Sequence, residues 1–173
     1  MITIISGTNR QNNETIRVSN YYSKKLTEKG IANQVLDLST LPADFIYNGL
    51  YGKKNDTFFE LVDKYVLNID KLVIISPEYN GSFPGVLKCF IEGWDPKRTA
   101  EKWVALVGVA AGRQGNSRGM DDLTNVLNYL QINVVPVKIP ISQIYMQFNE
   151  DGDIKDEALN SLIDKQVGLL NFN

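Results

Sequence analysis

The sequence contains no histidine and only one cysteine, Cys89, among its 173 residues. A single cysteine cannot form an internal disulfide or supply a cysteine metal cluster. Without histidine, a Ser-His-Asp triad and histidine acid–base chemistry are excluded, and zinc catalysis is strongly disfavoured. We therefore expect either that a bound cofactor carries the chemistry or that the protein is not an enzyme.

The sequence also lacks an apolar run of membrane-spanning length. Its net charge is small, −2. A nearly neutral chain of this kind argues against a nucleic-acid surface and against a polybasic membrane patch. The first residues show no secretory signal pattern, so we expect a cytoplasmic protein. The length and the hydrophobic share of 43% predict a single domain over residues 1–173.

Short apolar segments alternate with helical patterns along the chain. Such alternation predicts a three-layer α/β fold with a doubly wound, parallel, five-stranded sheet. Right-handed crossovers leave few topologies, and in the order 2-1-3-4-5 the first, third and fourth strands are neighbours. The predicted strands cover residues 2–5, 31–38, 72–75, 103–109 and 134–137.

The first strand leads into a polar loop, residues 6–15, and then into an amphipathic pattern. A strand-end loop that feeds a helix N-terminus can hold a phosphate on free backbone N–H groups. Thr8, Asn13 and Thr15 could add neutral hydrogen bonds, and Arg10 a charged one. An ordinary polar turn with a helix cap would have a similar sequence, and the loop by itself does not separate the two.

Two further polar loops, residues 76–85 and 110–119, follow the third and fourth strands. Ligands of open α/β sheets bind beyond the carboxyl ends of the strands, so the three loops are expected to converge on one site. The long segment 41–55 could line that site, form a subunit contact or be a surface excursion. The acidic segment 149–153 lacks the later glutamate of a calcium loop and predicts a turn, with no metal site elsewhere.

The three loops together resemble those of the NADPH-dependent FMN reductase family of flavodoxin-like proteins. The resemblance extends over roughly residues 2–137, and the middle motif is its most specific part. The motifs are Gly7-Thr8-Asn9-Arg10 with Asn13 and Thr15, Pro77-Glu78-Tyr79-Asn80-Gly81-Ser82-Phe83-Pro84-Gly85, and Gly112-Arg113-Gln114-Gly115.

The resemblance implies a flavodoxin-like FMN site at the ends of the first, third and fourth strands. The residues that it implies for the FMN phosphate are Thr8, Arg10, Asn13 and Thr15. Those that it implies for the isoalloxazine ring are Pro77, Glu78, Tyr79, Asn80, Gly81, Ser82 and Gly112. The implied activity passes hydride from NADPH or NADH through FMN to a quinone, an azo compound, free flavin or a metal ion. A homodimer or homotetramer is the implied assembly.

Other interpretations remain beside this one. The chain could be a flavodoxin-type electron carrier, although Arg10 and the small net charge disfavour it, or a catalytically silent FMN-binding module. Glu78 could pair with Lys88 instead of serving the site, and Tyr79 could contact either the flavin or a second subunit. A Walker-type hydrolase and a dinucleotide fold are disfavoured because their glycine motifs are missing.

Overall fold

The computed structural model describes residues 1–51 and 56–171. Its strands are β1 (Ile2–Ser6), β2 (Asn33–Asp37), β3 (Lys71–Pro77), β4 (Trp103–Val109), β5 (Asn133–Val134) and β6 (Ile139–Ile141). Its α-helices are α1 (Glu14–Glu28), α2 (Asp56–Val62), α3 (Gly85–Glu92), α4 (Pro96–Thr99), α5 (Ser117–Tyr129) and α6 (Glu157–Leu170). The chain continues from α2 into a π-helical turn, Asp63–Leu67.

The strands form one parallel sheet in the order β2-β1-β3-β4-β5, with β6 also paired to β4. This confirms the predicted α/β class and strand order. All five residues of β1 are buried, as are six of the seven in β3 and in β4. Their near-continuous apolar sequences are typical of parallel strands covered on both faces.

The prediction of one fifth strand over residues 134–137 is wrong. The edge of the sheet consists instead of two short strands, β5 opposite Trp103 and Val104, and β6 opposite the last three residues of β4. Pro136 lies between β5 and β6 and has no N–H to donate to a ladder. The sheet therefore has six strands, and its outer edge is interrupted.

Gln166 of α6 fills this interruption. Its side-chain amide is buried and donates to the carbonyl oxygens of Leu106, at 3.0 Å, and Val137, at 2.6 Å. Its Oε1 accepts a hydrogen bond from the Tyr22 hydroxyl at 3.0 Å. The backbone oxygens that a continuous ladder would have paired are thus satisfied by a side chain.

The helices cover the sheet on both faces. One apolar core lies between the sheet and helices α1 and α6, and it contains Tyr22 and Val167. The other core lies beneath α2, α3 and α5, and it contains Phe58, Phe90 and Leu123. This layering leaves the carboxyl ends of β1, β3 and β4 together at one edge, where their loops meet.

The segment predicted as a loop over residues 41–55 is partly helical. A π-helical turn, Phe45–Gly49, places Phe45 in the core, where its ring stacks on Phe58 with a centroid separation of 5.0 Å. Gly52 and residues 53–55 lie outside the described residues. Within the described ranges, no helix has both the length and the apolar character needed to cross a membrane.

Candidate active site

The three predicted loops converge on a cleft at the carboxyl edge of the sheet. Its volume is about 120 Å³, below the roughly 300–1,000 Å³ of pockets that enclose a whole small ligand. The cleft is therefore sized for one end of a ligand, with the remainder lying along its open mouth. The lining residues are Arg10, Asn12, Asn13, Glu14, Thr15, Pro77, Glu78, Tyr79, Val109, Ala110, Ala111, Ile144 and Tyr145.

The first loop is anchored where β1 ends. The Gly7 N–H donates to the carbonyl of Ile75 at 2.8 Å, and a Cβ on Gly7 would lie 2.9 Å from that same oxygen. Only glycine allows the loop to leave the sheet so close to β3. The hydroxyl of the next residue, Thr8, is completely buried and accepts the backbone N–H of Arg10 at 3.2 Å. The loop backbone is thus held before it reaches the cleft.

Asn13 caps α1 at the floor of the cleft. Its Oδ1 accepts the N–H of Ile16 at 2.9 Å, and its Nδ2 donates to the carbonyl of Arg10 at 2.7 Å. The N–H groups of Glu14 and Thr15 lie in the first turn and have no intrahelical acceptor. Both residues line the same cleft, and the positive end of the helix dipole lies beside them. This corner of the cleft therefore attracts an anion.

Arg10 adds a full positive charge to this corner. It is exposed, and among residues 1–51 and 56–171 its guanidinium has no ion-pair partner. The carboxylate of Glu14 does not compete for it, because Glu14 pairs with Arg17 at 2.7 Å. An anion entering the cleft would meet a cation that no carboxylate of the described residues has neutralised.

The second loop contains a tight turn over residues 79–82. Tyr79 and Ser82 exchange backbone hydrogen bonds of 2.9 and 3.2 Å, and Asn80 and Gly81 both have positive φ, +53° and +80°. Two successive positive φ values at Asn-Gly define a type I′ turn. Within the described chain, the N–H groups of Asn80 and Gly81 have no acceptor. They are free donors at the tip of the turn.

Side chains fix this turn at both ends. The Tyr79 hydroxyl lies 2.9 Å from the hydroxyl of Thr8, which joins the second loop to the first. The Ser82 hydroxyl donates to Asp122 of α5 at 2.6 Å. A Cβ built on Gly81 would meet no heavy atom within 4 Å, so the face of the turn is open.

The structure brings six of the predicted site residues to the cleft wall and leaves five behind it or beyond its mouth. Arg10, Asn13, Thr15, Pro77, Glu78 and Tyr79 line the cleft. The residues outside its lining are Thr8, Asn80, Gly81, Ser82 and Gly112. Of these, Thr8 is buried beside Tyr79, whereas Gly112 is exposed and its carbonyl accepts the N–H of Gln143 at 2.9 Å.

Asn116 is a structural element of the site that sequence reasoning missed. It is fully buried with φ of +61°, and its Nδ2 donates to the carbonyls of Ser76, at 2.9 Å, and Pro77, at 3.1 Å. Its backbone N–H donates to a carboxylate oxygen of Glu78 at 3.3 Å. Glu78 is thereby held by the third loop. Lys88, the other partner considered, pairs with Glu92 at 2.5 Å.

Ile144 and Tyr145 were also missed, although they line the cleft. They lie in a 3₁₀ turn, Ile144–Met146, that directly follows β6. The rule that ligands bind at strand carboxyl ends applies to them as well. They escaped attention because the fifth strand was predicted to end at residue 137. Tyr145 is 70% exposed, so its ring stands open at the mouth of the cleft.

Residues 1–145 match the family model described as NADPH-dependent FMN reductase. The chain belongs to the NADPH-dependent FMN reductase family. This confirms the resemblance seen in the loop motifs. It also confirms the predicted enzyme class, an oxidoreductase that uses FMN and NAD(P)H.

Curated relatives of this FMN reductase agree with the family model. An NAD(P)H-dependent FMN reductase of Pseudomonas aeruginosa is 27% identical, covering 90% of this chain and 89% of its own. An NADPH azoreductase of a Bacillus species is 24% identical, covering 91% and 83%. A 2-hydroxy-1,4-benzoquinone reductase of a Burkholderia species is 30% identical over 54% of this chain and 60% of its own.

Solved structures show the same fold as this FMN reductase. An NADH:FMN oxidoreductase in its apo form superposes with a TM-score of 0.80 at 22% identity, covering 99% of this chain and 90% of that one. A flavodoxin from Pseudomonas aeruginosa superposes with a TM-score of 0.66 at 10% identity, covering 99% of both chains. The flavodoxin-like architecture is therefore confirmed.

The cleft and the turn beyond its mouth fit the two ends of FMN separately. The corner with Arg10 and the first turn of α1 suits a phosphate, because its donors are free and positively charged. The open turn at Asn80 and Gly81 presents two unused N–H groups over vacant space. Such donors suit the carbonyl and ring-nitrogen edge of a flat heterocycle.

Proposed function

We propose that this chain is an FMN-dependent NAD(P)H oxidoreductase whose single domain, residues 1–173, binds FMN across the three loops. The observation that carries the proposal is the cleft lined by Arg10, which has no ion-pair partner among the described residues, by the N-terminus of α1, and by Pro77 and Tyr79. Bound FMN supplies the ability to take hydride from a nicotinamide and to release electrons to an acceptor. The protein's contribution is to bind and orient the flavin and its substrates and to exclude competing groups.

The phosphate end is assigned to the first loop. Arg10 contributes the charged hydrogen bond, and the N–H groups of Glu14 and Thr15 contribute the dipole-assisted ones. Asn13 uses one Nδ2 hydrogen and its Oδ1 within the loop, which leaves one amide hydrogen for the anion. Asn13 therefore shapes the site as well as contacting its ligand.

The ring end is assigned to the turn after β3. Of the backbone donors predicted over residues 77–82, those of Glu78, Tyr79 and Ser82 are already bonded within the protein. The donors left for the ring edge are the N–H groups of Asn80 and Gly81. Fixed donors at that edge stabilise the negative charge that reduction places on the heterocycle, because they require no reorganisation.

The face of the ring turned away from the protein is where a nicotinamide and then an acceptor would stack in turn. The names of the relatives suggest small oxidised acceptors such as azo compounds and quinones. Free flavin and oxidised metal ions are further candidates, because both accept electrons from a reduced flavin. The 2′-phosphate of NADPH would need a cation, and Arg113 and Arg118 are exposed on the third loop and the start of α5.

A flavodoxin-type electron carrier is the second candidate, and the similarity of fold supports it. A carrier needs no room for a nicotinamide and typically has a strongly acidic surface. The net charge of −2 and the free Arg10 favour the reductase. A silent FMN-binding module would share the cleft but would not exchange hydride.

An anaerobic absorbance titration tests these alternatives. The protein is reconstituted with FMN, and NADPH and NADH are added in separate experiments. We expect rapid loss of the oxidised-flavin band with at least one donor, and the faster donor identifies the preferred nucleotide. Flavin that binds but stays oxidised would support the carrier or the silent module. Failure to bind FMN would refute the proposal.

We further propose that the enzyme works in the cytoplasm as a homodimer or homotetramer with no nucleic-acid or membrane partner. The family resemblance supports the assembly, and the composition supports the compartment. Size-exclusion chromatography with light scattering would measure the assembly directly. A monomer at micromolar concentration would refute it.

A further inference from the structure

The hydrogen bond between Thr8 and Tyr79 joins the phosphate loop to the ring loop. Their hydroxyl oxygens are 2.9 Å apart, and the residues are 71 positions apart in the sequence. The two hydroxyls differ in their surroundings, because Thr8 is completely buried and Tyr79 lines the cleft. That difference determines where the two protons can go.

Each hydroxyl has one proton to donate and can accept hydrogen bonds. The Thr8 oxygen already accepts the backbone N–H of Arg10 at 3.2 Å. Within the described chain, the only acceptor within reach of the Thr8 proton is the oxygen of Tyr79. If Tyr79 donated instead, the buried Thr8 proton would have no partner, which is costly for a buried donor. The favoured direction is therefore Thr8 to Tyr79.

This direction leaves the Tyr79 proton unused by the protein. Tyr79 lines the cleft together with Arg10, Asn13 and Thr15. We propose that Tyr79 donates its phenolic O–H to the phosphate of the bound flavin, and that Thr8 is a positioning residue that orients this proton. The proposal rests on the function proposed above and changes two assignments that the family resemblance implied. Thr8 is now assigned to orient Tyr79 and not to contact the phosphate, and Tyr79 is assigned to the phosphate instead of the ring.

The consequence is selectivity for a phosphorylated flavin. FMN and riboflavin have the same ring and ribityl chain, and only FMN has the phosphate. A donor aimed at the phosphate strengthens the binding of FMN alone, whereas a residue that packs on the ring strengthens the binding of both. The ratio of the two dissociation constants therefore reports on the phosphate end.

The experiment measures binding of FMN and riboflavin by quenching of flavin fluorescence. The variants are Tyr79→Phe, Thr8→Val, Thr8→Ser and the double variant Thr8→Val/Tyr79→Phe. We expect Tyr79→Phe to weaken FMN binding by about tenfold or more, as for a hydrogen bond to a charged group, and to leave riboflavin binding unchanged. Thr8→Val should act in the same direction, and Thr8→Ser, which retains the hydroxyl, should restore the ratio.

The double variant tests the coupling itself. If Thr8 acts only through Tyr79, removal of both hydroxyls should weaken FMN binding no more than Tyr79→Phe alone. Tyr129→Phe is the matched control, because Tyr129 is 87% exposed on α5 and does not line the cleft. It should leave both affinities unchanged.

Any one of four results would overturn the proposal. Equal weakening of FMN and riboflavin by Tyr79→Phe would place Tyr79 against the ring. Unchanged FMN binding in Thr8→Val or additive losses in the double variant would show that Thr8 does not orient the proton. A wild-type protein that binds FMN no better than riboflavin would show that the phosphate is not held in this cleft. Failure to bind either flavin would instead refute the proposed function.

Discussion

Arg10 is the residue whose replacement most directly tests the phosphate site. Its guanidinium lies in the cleft and has no ion-pair partner among the described residues, so Arg10→Ala removes no salt bridge from the folded protein. We expect stability to stay within about 0.5 kcal/mol of the wild type, as for an exposed position. FMN binding should weaken by about 1.5–3 kcal/mol, the range for a hydrogen bond to a charged group. That loss corresponds to a roughly 12- to 160-fold higher Kd.

The assay is the same fluorescence titration, at low and high salt. Because the contribution of Arg10 is electrostatic and partly exposed to solvent, the difference between Arg10→Ala and the wild type should shrink as salt rises. Arg10→Lys should have an intermediate affinity, since it keeps the charge but loses the planar pair of donors.

Arg98→Ala is the matched control for net charge. Arg98 lies on α4, away from the cleft, and pairs with Asp63 at 2.6 Å. It should leave FMN binding unchanged. Unaltered affinity in Arg10→Ala, or equal losses in both variants, would refute the assignment of Arg10 to the phosphate.

Three further predictions concern the turn, the sheet edge and a buried lysine. Gly81→Asn should keep the fold, because asparagine tolerates positive φ, and should impair flavin binding, because its side chain enters the open face of the turn. Flavin content measures this. The control is Gly152→Asn, at φ +82° in a distant turn, which should have no effect. Gln166→Leu should lower the free energy of unfolding, measured in urea, by about 2–4 kcal/mol, because the carbonyls of Leu106 and Val137 and the Tyr22 hydroxyl lose their partner; a loss below about 0.5 kcal/mol would contradict this account. Burial lowers the pKa of Lys102 in the folded state, so the unfolded chain binds more protons as the pH approaches the usual lysine value. The free energy of unfolding should therefore gain a component that rises with pH over that range, and urea melts of Lys102→Met should lack it.

The parallel α/β sheet and the meeting of the three loops at one edge could be predicted from the sequence because both follow from local features. The apolar segments at β1, β3 and β4 are continuous, and each ends in a loop rich in polar residues and glycine. Parallel strands place such loops at one edge whatever the details of packing. The family resemblance then supplied the ligand, which periodicity and spacing alone could not.

The edge of the sheet could not be predicted in the same way. The split between β5 and β6 depends on Pro136 and on Gln166, an amide that lies far along the chain and pairs with the carbonyls of Leu106 and Val137. Because the split was missed, so were Ile144 and Tyr145, which follow β6. An error in a strand boundary thus became an error in the composition of the cleft.

Hydroxyl and amide side chains show most clearly what only the tertiary structure decides. The residue types of the first loop indicated that Thr8, Arg10 and Asn13 could bind an anion, since donor chemistry is a property of the residue. Which donors remain free depends on the neighbours that folding brings to them. Thr8 meets Tyr79 from 71 residues away, and Arg10 meets no carboxylate in the described chain. Sequence therefore indicates what each group can donate, and packing determines which protons are left for a ligand.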